Sequence, residues 1–197
     1  MNGLDRNAKT ISLAAVYDSD GVELIAGHTI RYDYLVLAVG SVSNDFGVPG
    51  VREYCSYLDA REQADIFRTK LLNHSLRVSR AMMADPNADE RVRVTIVGGG
   101  ATGVELAAEL YNAASALRHY GLEVFDESRL VVTLLEAGPR ILPALPEKLA
   151  NAAKHELEQL VVSVQSGTQV VAAHSGKLVT GTGDEIHSDL MVWAATT

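Results

Sequence analysis

An α/β fold, a parallel sheet flanked by helices with a three-stranded β-meander attached, is what this sequence predicts. Three observations predict it. A β-branched apolar run, Val92-Arg93-Val94-Thr95-Ile96-Val97, opens through Gly98-Gly99-Gly100-Ala101-Thr102-Gly103 into a Leu/Ala/Glu-rich helical pattern. A second such run, residues 130–135, ends in the acid Glu136. Beyond it, short strand patterns at residues 168–173, 177–179 and 185–187 alternate with glycine turns, as a meander does.

The elements follow in order. Residues 10–16 and 22–25 flank Asp18-Ser19-Asp20-Gly21, a hairpin turn, and residues 29–39 continue as a third strand that ends at Gly40 and Ser41. A loop rich in Gly, Asn and Pro comes next. Residues 59–84 carry a helical period in Ala60, Ala64, Phe67, Leu71, Ser75 and Val78, until Asp85-Pro86-Asn87 stops it. This helix reads as a link between two domains, divided at residues 57 and 58. After the strand ending at Val97, the helix from Thr102 runs through Leu106, Leu110, Ala114 and Leu117 and breaks at Gly121. A polar segment through Glu127 and Arg129 then reads as an inserted loop. Strand 130–135, a helix over 147–160 with Pro146 at its first position, strand 161–164, the meander and a buried strand over 191–195 complete the pattern.

The glycine spacing has a chemical reading. Gly98 permits a tight strand-to-helix turn, Gly100 lets backbone approach a pyrophosphate, and Gly103 allows close packing of helix on sheet. The anion then sits on the helix N-terminus, where unpaired N–H groups and the helix dipole favour negative charge. The turn reads as Rossmann-like and dinucleotide-binding, with Gly99, Ala101 and Thr102 completing the loop; the alternative is a glycine turn in another α/β fold. Glu136 fills the place of the acid that accepts hydrogen bonds from a ribose, although it lies 33 residues past Gly103, and the inserted loop explains the excess. A carboxylate there repels the extra phosphate of NADP, so NADH is the expected ligand; Arg140 is the counterweight, since a nearby arginine can accept that phosphate. Read without a ligand, Glu136 is an ordinary solvated acid at a strand end.

Composition narrows the remaining classes. With 17 Lys and Arg against 25 Asp and Glu, the net charge is −8 and no basic tract invites nucleic acid or an anionic membrane. No apolar run approaches a transmembrane length and no signal peptide is visible at Met1. Cys55 is the single cysteine, so it has no partner for an internal disulfide. The six histidines, at 28, 74, 119, 155, 174 and 187, have no metal-ligand spacing, and no metal is expected.

The chain resembles the FAD-dependent pyridine nucleotide-disulfide oxidoreductases, and within that superfamily the type II NADH dehydrogenases, which pass electrons to quinone. Gly98-Gly99-Gly100-Ala101-Thr102-Gly103-Val104-Glu105-Leu106-Ala107 resembles the NADH turn of the family. Leu135-Glu136-Ala137-Gly138-Pro139-Arg140-Ile141-Leu142-Pro143 is similar to its ribose strand and the turn beyond. Tyr32-Asp33-Tyr34-Leu35-Val36-Leu37-Ala38-Val39-Gly40-Ser41 resembles the strand by which the FAD domain returns near its flavin, and Asn44-Asp45-Phe46-Gly47-Val48-Pro49-Gly50-Val51 resembles the loop leading out of it. Val192-Trp193-Ala194-Ala195 is similar to the strand that ends beside the nicotinamide, with Thr196 where the family has glycine.

The resemblance implies that residues 1–57 are the C-terminal part of an FAD domain and residues 58–197 an NADH-binding domain. It implies NADH contacts at Gly98, Gly99, Gly100, Ala101, Thr102, Gly103, Glu136, Arg140, Ala194 and Ala195, with Val39 and Gly40 near the flavin. It also implies that Glu105 couples NADH oxidation to quinone reduction. Read from the residues alone, Thr102-x-x-Glu105 is a capping box. The FAD turn, a second flavin-contacting segment and the C-terminal membrane-attaching region of the family are not matched. The expectation is therefore a piece that binds nucleotide without turnover, from a protein lying peripherally on the cytoplasmic side of a membrane. Apolar surface on the first strands leads us to expect a homodimer. Two other functions fit the residues: a flavoprotein reductase for a soluble acceptor such as ferredoxin, a disulfide or nitrite, and a nucleotide-sensing module without catalysis.

Overall fold

A strand with apolar side chains on both of its faces must be covered on both, and two predominantly apolar runs meet that condition. They become β6 (Val92–Val97) and β7 (Leu130–Glu136), the two central strands of a four-stranded parallel sheet. The edges of this sheet are β8 (Ser163–Ser166) beside β7 and β12 (Leu190–Trp193) beside β6. The structure, a computed structural model, describes every residue except Val39, Pro86, residues 118–124, Asp126 and Thr197. It separates into two compact units, Met1–Gly40 and Ser41–Thr197.

In the second unit the chain enters through a short helix, α1 (Val51–Tyr54), and a long one, α2 (Arg61–Ala84). Gln63 begins α2 by accepting hydrogen bonds from the N–H groups of Asp59 and Ala60, at 2.8 and 3.1 Å. Phe67, Leu71, Ser75 and Val78 are its buried face, as their helical spacing requires. Helix α3 (Ala101–Leu117) follows β6, and α4 (Glu147–Gln159) lies between β7 and β8 with Pro146 as its N-cap. The inserted loop expected near Gly121 lies largely outside the described residues; a 3-10 turn (Glu127–Arg129) leads from it into β7. Between β8 and β12 the meander forms β9 (Val170–His174), β10 (Lys177–Thr180) and β11 (Glu185–His187) as an antiparallel sheet.

Alternation sorts the core into two layers. Val94, Ile96, Val132, Leu134 and Val192 face the helices, where Leu110, Tyr111, Ala114 and Leu157 meet them. Their neighbours Val97, Leu135, Met191 and Trp193 face the other way, onto Val51, Val170, Ala173 and Leu178. Cys55 lies in this second layer, and burial pushes its thiol up from 9.0 to about 12. The unfolded thiol therefore ionises before the native one, and native stability falls as pH rises above 9.0 towards about 12. At neutral pH the native chain is expected to resist alkylation that labels it rapidly in denaturant, read by mass spectrometry; equal rates would contradict this burial.

The first unit consists of β1 (Gly3–Asp5), β2 (Thr10–Leu13), β3 (Val16–Tyr17), β4 (Glu23–Ile25) and β5 (His28–Arg31). These form an antiparallel sheet in the order β1-β2-β5 and a β3-β4 hairpin. The expected turn closes that hairpin: the Asp18 carboxylate accepts from the N–H groups of Asp20 and Val22 at 2.9 and 2.8 Å. The third strand stops early. It ends at Arg31, and residues 32–38 are not strand, with Tyr34 93% and Val36 84% exposed. Strand propensity needs a neighbour to take up the backbone N–H and C=O groups; Tyr32 N–H still donates to Lys9 C=O at 3.0 Å, but no described strand pairs with residues 33–38.

Candidate functional site

The sheet order β12-β6-β7-β8 places the reversal of strand order between β6 and β12, because the chain leaves β6 towards β7 and returns on its other side. In open α/β sheets, ligands bind beyond the carboxyl ends of the strands at such a point. The glycine turn stands there. Gly98 has φ +115°, and a Cβ on it would come within 2.7 Å of the Ala195 nitrogen and 2.8 Å of the Ala194 carbonyl carbon. The absent side chain thus lets the end of β12 close against the turn, with Ala194 N–H donating to Val97 C=O at 2.8 Å.

A Cβ on Gly103 would fall 1.9 Å from the Gly98 carbonyl oxygen, so α3 reaches its position on the sheet only with glycine there. Gly100 differs: a Cβ there would meet nothing within 4 Å. Its backbone borders open space. Gly100 C=O accepts from Val104 N–H at 3.1 Å, which makes Gly100 the residue that caps α3. Helix α3 accordingly begins at Ala101, one residue before the start expected from the sequence. Thr102 is the second helical residue and not the cap, so the capping box of Thr102 and Glu105 is not formed. The Glu105 carboxylate is exposed and has no hydrogen bond or ion pair to the described residues.

Glu136 closes the site from the next strand. One carboxylate oxygen accepts from Gly99 N–H at 2.7 Å and the other from Gly138 N–H at 2.6 Å. A carboxylate offers about four acceptor sites, so about two remain for donors from outside the chain. The chemistry available is that of a cradle: unpaired N–H groups of the first turn of α3 for an anion, and a carboxylate beside them for hydroxyl donors. Gly99 is held from its other side as well, since its C=O accepts from Leu142 N–H at 2.7 Å.

The turn thus brings together Gly98, Gly99, Gly100, Gly103, Glu136, Ala194 and Ala195, with Ala101 and Thr102 exposed on the first turn of the helix. The Arg140 guanidinium is engaged by its own loop, donating to the carbonyls of Leu142 at 3.2 Å, Leu145 at 2.9 Å and Pro143 at 2.9 Å. Gly40 lies in the first unit, exposed, and Val39 lies outside the described residues. Among the described residues no cluster of His, Cys, Asp and Glu could hold a metal ion, and no helix is long and apolar enough to cross a membrane.

Sequence reasoning missed the brace behind Ala194. Asn44 N–H donates to Ala195 C=O at 2.8 Å, and Trp193 Nε1–H donates to Asn44 C=O at 2.6 Å. Asp59 accepts from the Ser43 N–H and hydroxyl, while Asp45 pairs with Arg52. The Arg52 guanidinium and the Gly47 N–H hold the Asp45 carboxyl below the usual carboxylate range, the backbone bond first. Segment 43–56 covers the outer edge of β12, with Ser56 bridging Val192 and Ser43 bridging Thr196.

Sheet order, glycine turn and strand-end acid define the class: an α/β domain of the Rossmann type. The chain belongs to the pyridine nucleotide-disulphide oxidoreductase family, whose model matches residues 2–195. Over 98% of its length it is 46% identical to the type II NADH:quinone oxidoreductase of Haemophilus influenzae and covers 46% of that protein. It is 31% identical, again over 98% of its length, to the type II NADH:quinone oxidoreductase of Staphylococcus saprophyticus, covering 44% of it. The chain therefore spans less than half the length of these relatives. Among solved structures, that of NDH2 from Plasmodium falciparum in complex with NADH aligns with 96% of this chain and 38% of its own, at 22% identity and a TM-score of 0.65, a likeness of fold.

Proposed function

We propose that this chain is the NADH-binding portion of a flavin-dependent oxidoreductase in which hydride passes from NADH to FAD and electrons then pass to a quinone. The observation that carries the NADH reading is the Glu136 carboxylate bonded to Gly99 N–H at the mouth of the glycine turn. Identity of 46% to a protein named a type II NADH:quinone oxidoreductase supports quinone as acceptor. On this reading residues 1–57 belong to the flavin-binding part, residues 58–197 to the NADH-binding part, and the helix over 59–84 links them.

The residues divide the work by chemistry. The first turn of α3 and Gly100 receive the pyrophosphate, Glu136 takes the adenosine ribose hydroxyls, and the backbone of Ala194 and Ala195 borders the nicotinamide end. FAD supplies the two-electron chemistry when bound, while the protein supplies orientation and electrostatics. Gly40, whose Cβ direction is open, fits a close approach by the flavin, with Val39 beside it in sequence. Glu105, which has no hydrogen bond or ion pair to the described residues, is assigned the coupling of NADH oxidation to quinone reduction. Exposed Leu24, Ile25, Val36 and Leu37 support packing of the first unit against further protein, a second copy of the chain included, and a peripheral place on the cytoplasmic side of a membrane accords with the quinone.

The test is NADH-dependent quinone reduction by the full-length protein supplied with FAD. Turnover is expected with NADH, and Glu105→Gln should slow it while leaving NADH affinity in place. Preference for a soluble acceptor, or NADH binding without any flavin reduction, would overturn the proposal.

A further inference from the structure

We infer that Arg140 is a positioning residue for the nucleotide turn rather than a receptor for a ligand phosphate. The inference rests on the dinucleotide reading above. Three of the five N–H donors of its guanidinium are occupied by the carbonyls of Leu142, Pro143 and Leu145. Those carbonyls belong to a loop with a specific strain: Leu142 sits at φ +49°, a left-handed conformation that a leucine adopts only when its surroundings impose it. Arg140 is the group that gathers the carbonyls of the kinked residue and of the segment that follows it.

The kink matters because of what Leu142 does next. Its N–H, turned by the left-handed backbone, donates to Gly99 C=O at 2.7 Å, while Gly99 N–H donates to Glu136. Gly99 is thereby fixed at both its backbone polar groups, and Ile141, fully buried, closes on the position where a Gly99 Cβ would stand, at 2.9 Å. A chain of contacts runs from the guanidinium through Leu142 to the turn that receives the pyrophosphate. Arg140 acts on affinity by preorganising that turn, and its effect falls on the adenosine diphosphate end of the ligand.

The experiment uses the full-length protein with Arg140→Met and Arg140→Lys, titrated with NADH, NADPH, ADP-ribose and reduced nicotinamide mononucleotide. Both variants are expected to bind ADP-ribose and NADH about tenfold more weakly, the scale of a lost hydrogen bond to a charged group. Binding of the mononucleotide, the ratio of NADH to NADPH affinity and kcat should stay where they are. Lysine keeps the charge but cannot span three carbonyls, so it should behave as methionine does. In a Leu142→Asn background, where asparagine tolerates the left-handed backbone, the loss on removing Arg140 should shrink. Full affinity in Arg140→Lys, a selective loss of NADPH, or a loss shared by the mononucleotide would overturn the inference. If the wild-type protein fails to bind ADP-ribose, the dinucleotide reading falls with it; if wild type and variants bind alike, only the role of Arg140 falls.

Discussion

Replacing Gly103 with alanine is expected to lower the melting temperature of the protein and abolish NADH binding, while the same change at Gly100 should leave the fold standing and weaken NADH alone. Two opposed effects meet at Gly103. Alanine in a helix interior is favoured over glycine by about 1 kcal/mol. Against it, the new Cβ would stand 1.9 Å from the Gly98 carbonyl oxygen, a backbone atom that cannot rotate away. Overpacking of this kind costs about 1–3 kcal/mol or more, so the clash decides the sign. Relief requires α3 to move off β6, and the cradle opens with it. At Gly100 a Cβ meets nothing within 4 Å, and the loss is confined to the poorer capping of α3, about 1 kcal/mol or less. On the proposed reading that methyl would stand in the path of a pyrophosphate, and NADH affinity should fall at least tenfold, or about 1.4 kcal/mol. Thermal melts and NADH titrations of the two variants separate the effects; unchanged NADH affinity in Gly100→Ala would count against the site.

The second large effect is expected at Glu136, and the conservative replacement should be as damaging as the drastic one. Its two oxygens each accept a backbone N–H, from Gly99 and Gly138. Glutamine offers one oxygen and one NH₂, and whichever way it turns, the NH₂ confronts a backbone donor. One charge-assisted bond is lost and a donor is set against a donor, with a stability loss of about 1.5–3 kcal/mol. Glu136→Gln should also shrink the preference for NADH over NADPH by roughly tenfold, since the negative charge facing a ribose phosphate is gone. Urea melts together with both nucleotide titrations measure this. A glutamine variant with wild-type stability and preference would show that the carboxylate's two N–H contacts carry little energy.

Much of the site could be read from the sequence because each part obeyed a local rule. Val92 to Val97 and the run before Glu136 are β-branched and apolar enough to be central strands, and the spacing of Gly98, Gly100 and Gly103 placed the turn between strand and helix. The failures lie where a distant partner decides. Residues 33–38 have the composition of a strand but no described strand beside them to pair with. Thr102 carries the hydroxyl of a capping residue, yet it is the Gly100 carbonyl that accepts the first helical bond. Arg140 carries no mark of its carbonyl partners, because the left-handed turn at Leu142 is not announced by glycine or asparagine. The bond from Trp193 to Asn44 joins residues 149 positions apart, and no periodicity reports a contact of that range.

The pairing of Ser43 with Thr196 and of Asn44 with Ala195 brings the first and last segments of the second unit side by side. A module with neighbouring entrance and exit can be spliced into another polypeptide without stretching its host, because the loop it closes in the host is short whatever the module's own length. Ala194 and Ala195, whose backbone closes against the glycine turn, stand at that shared threshold.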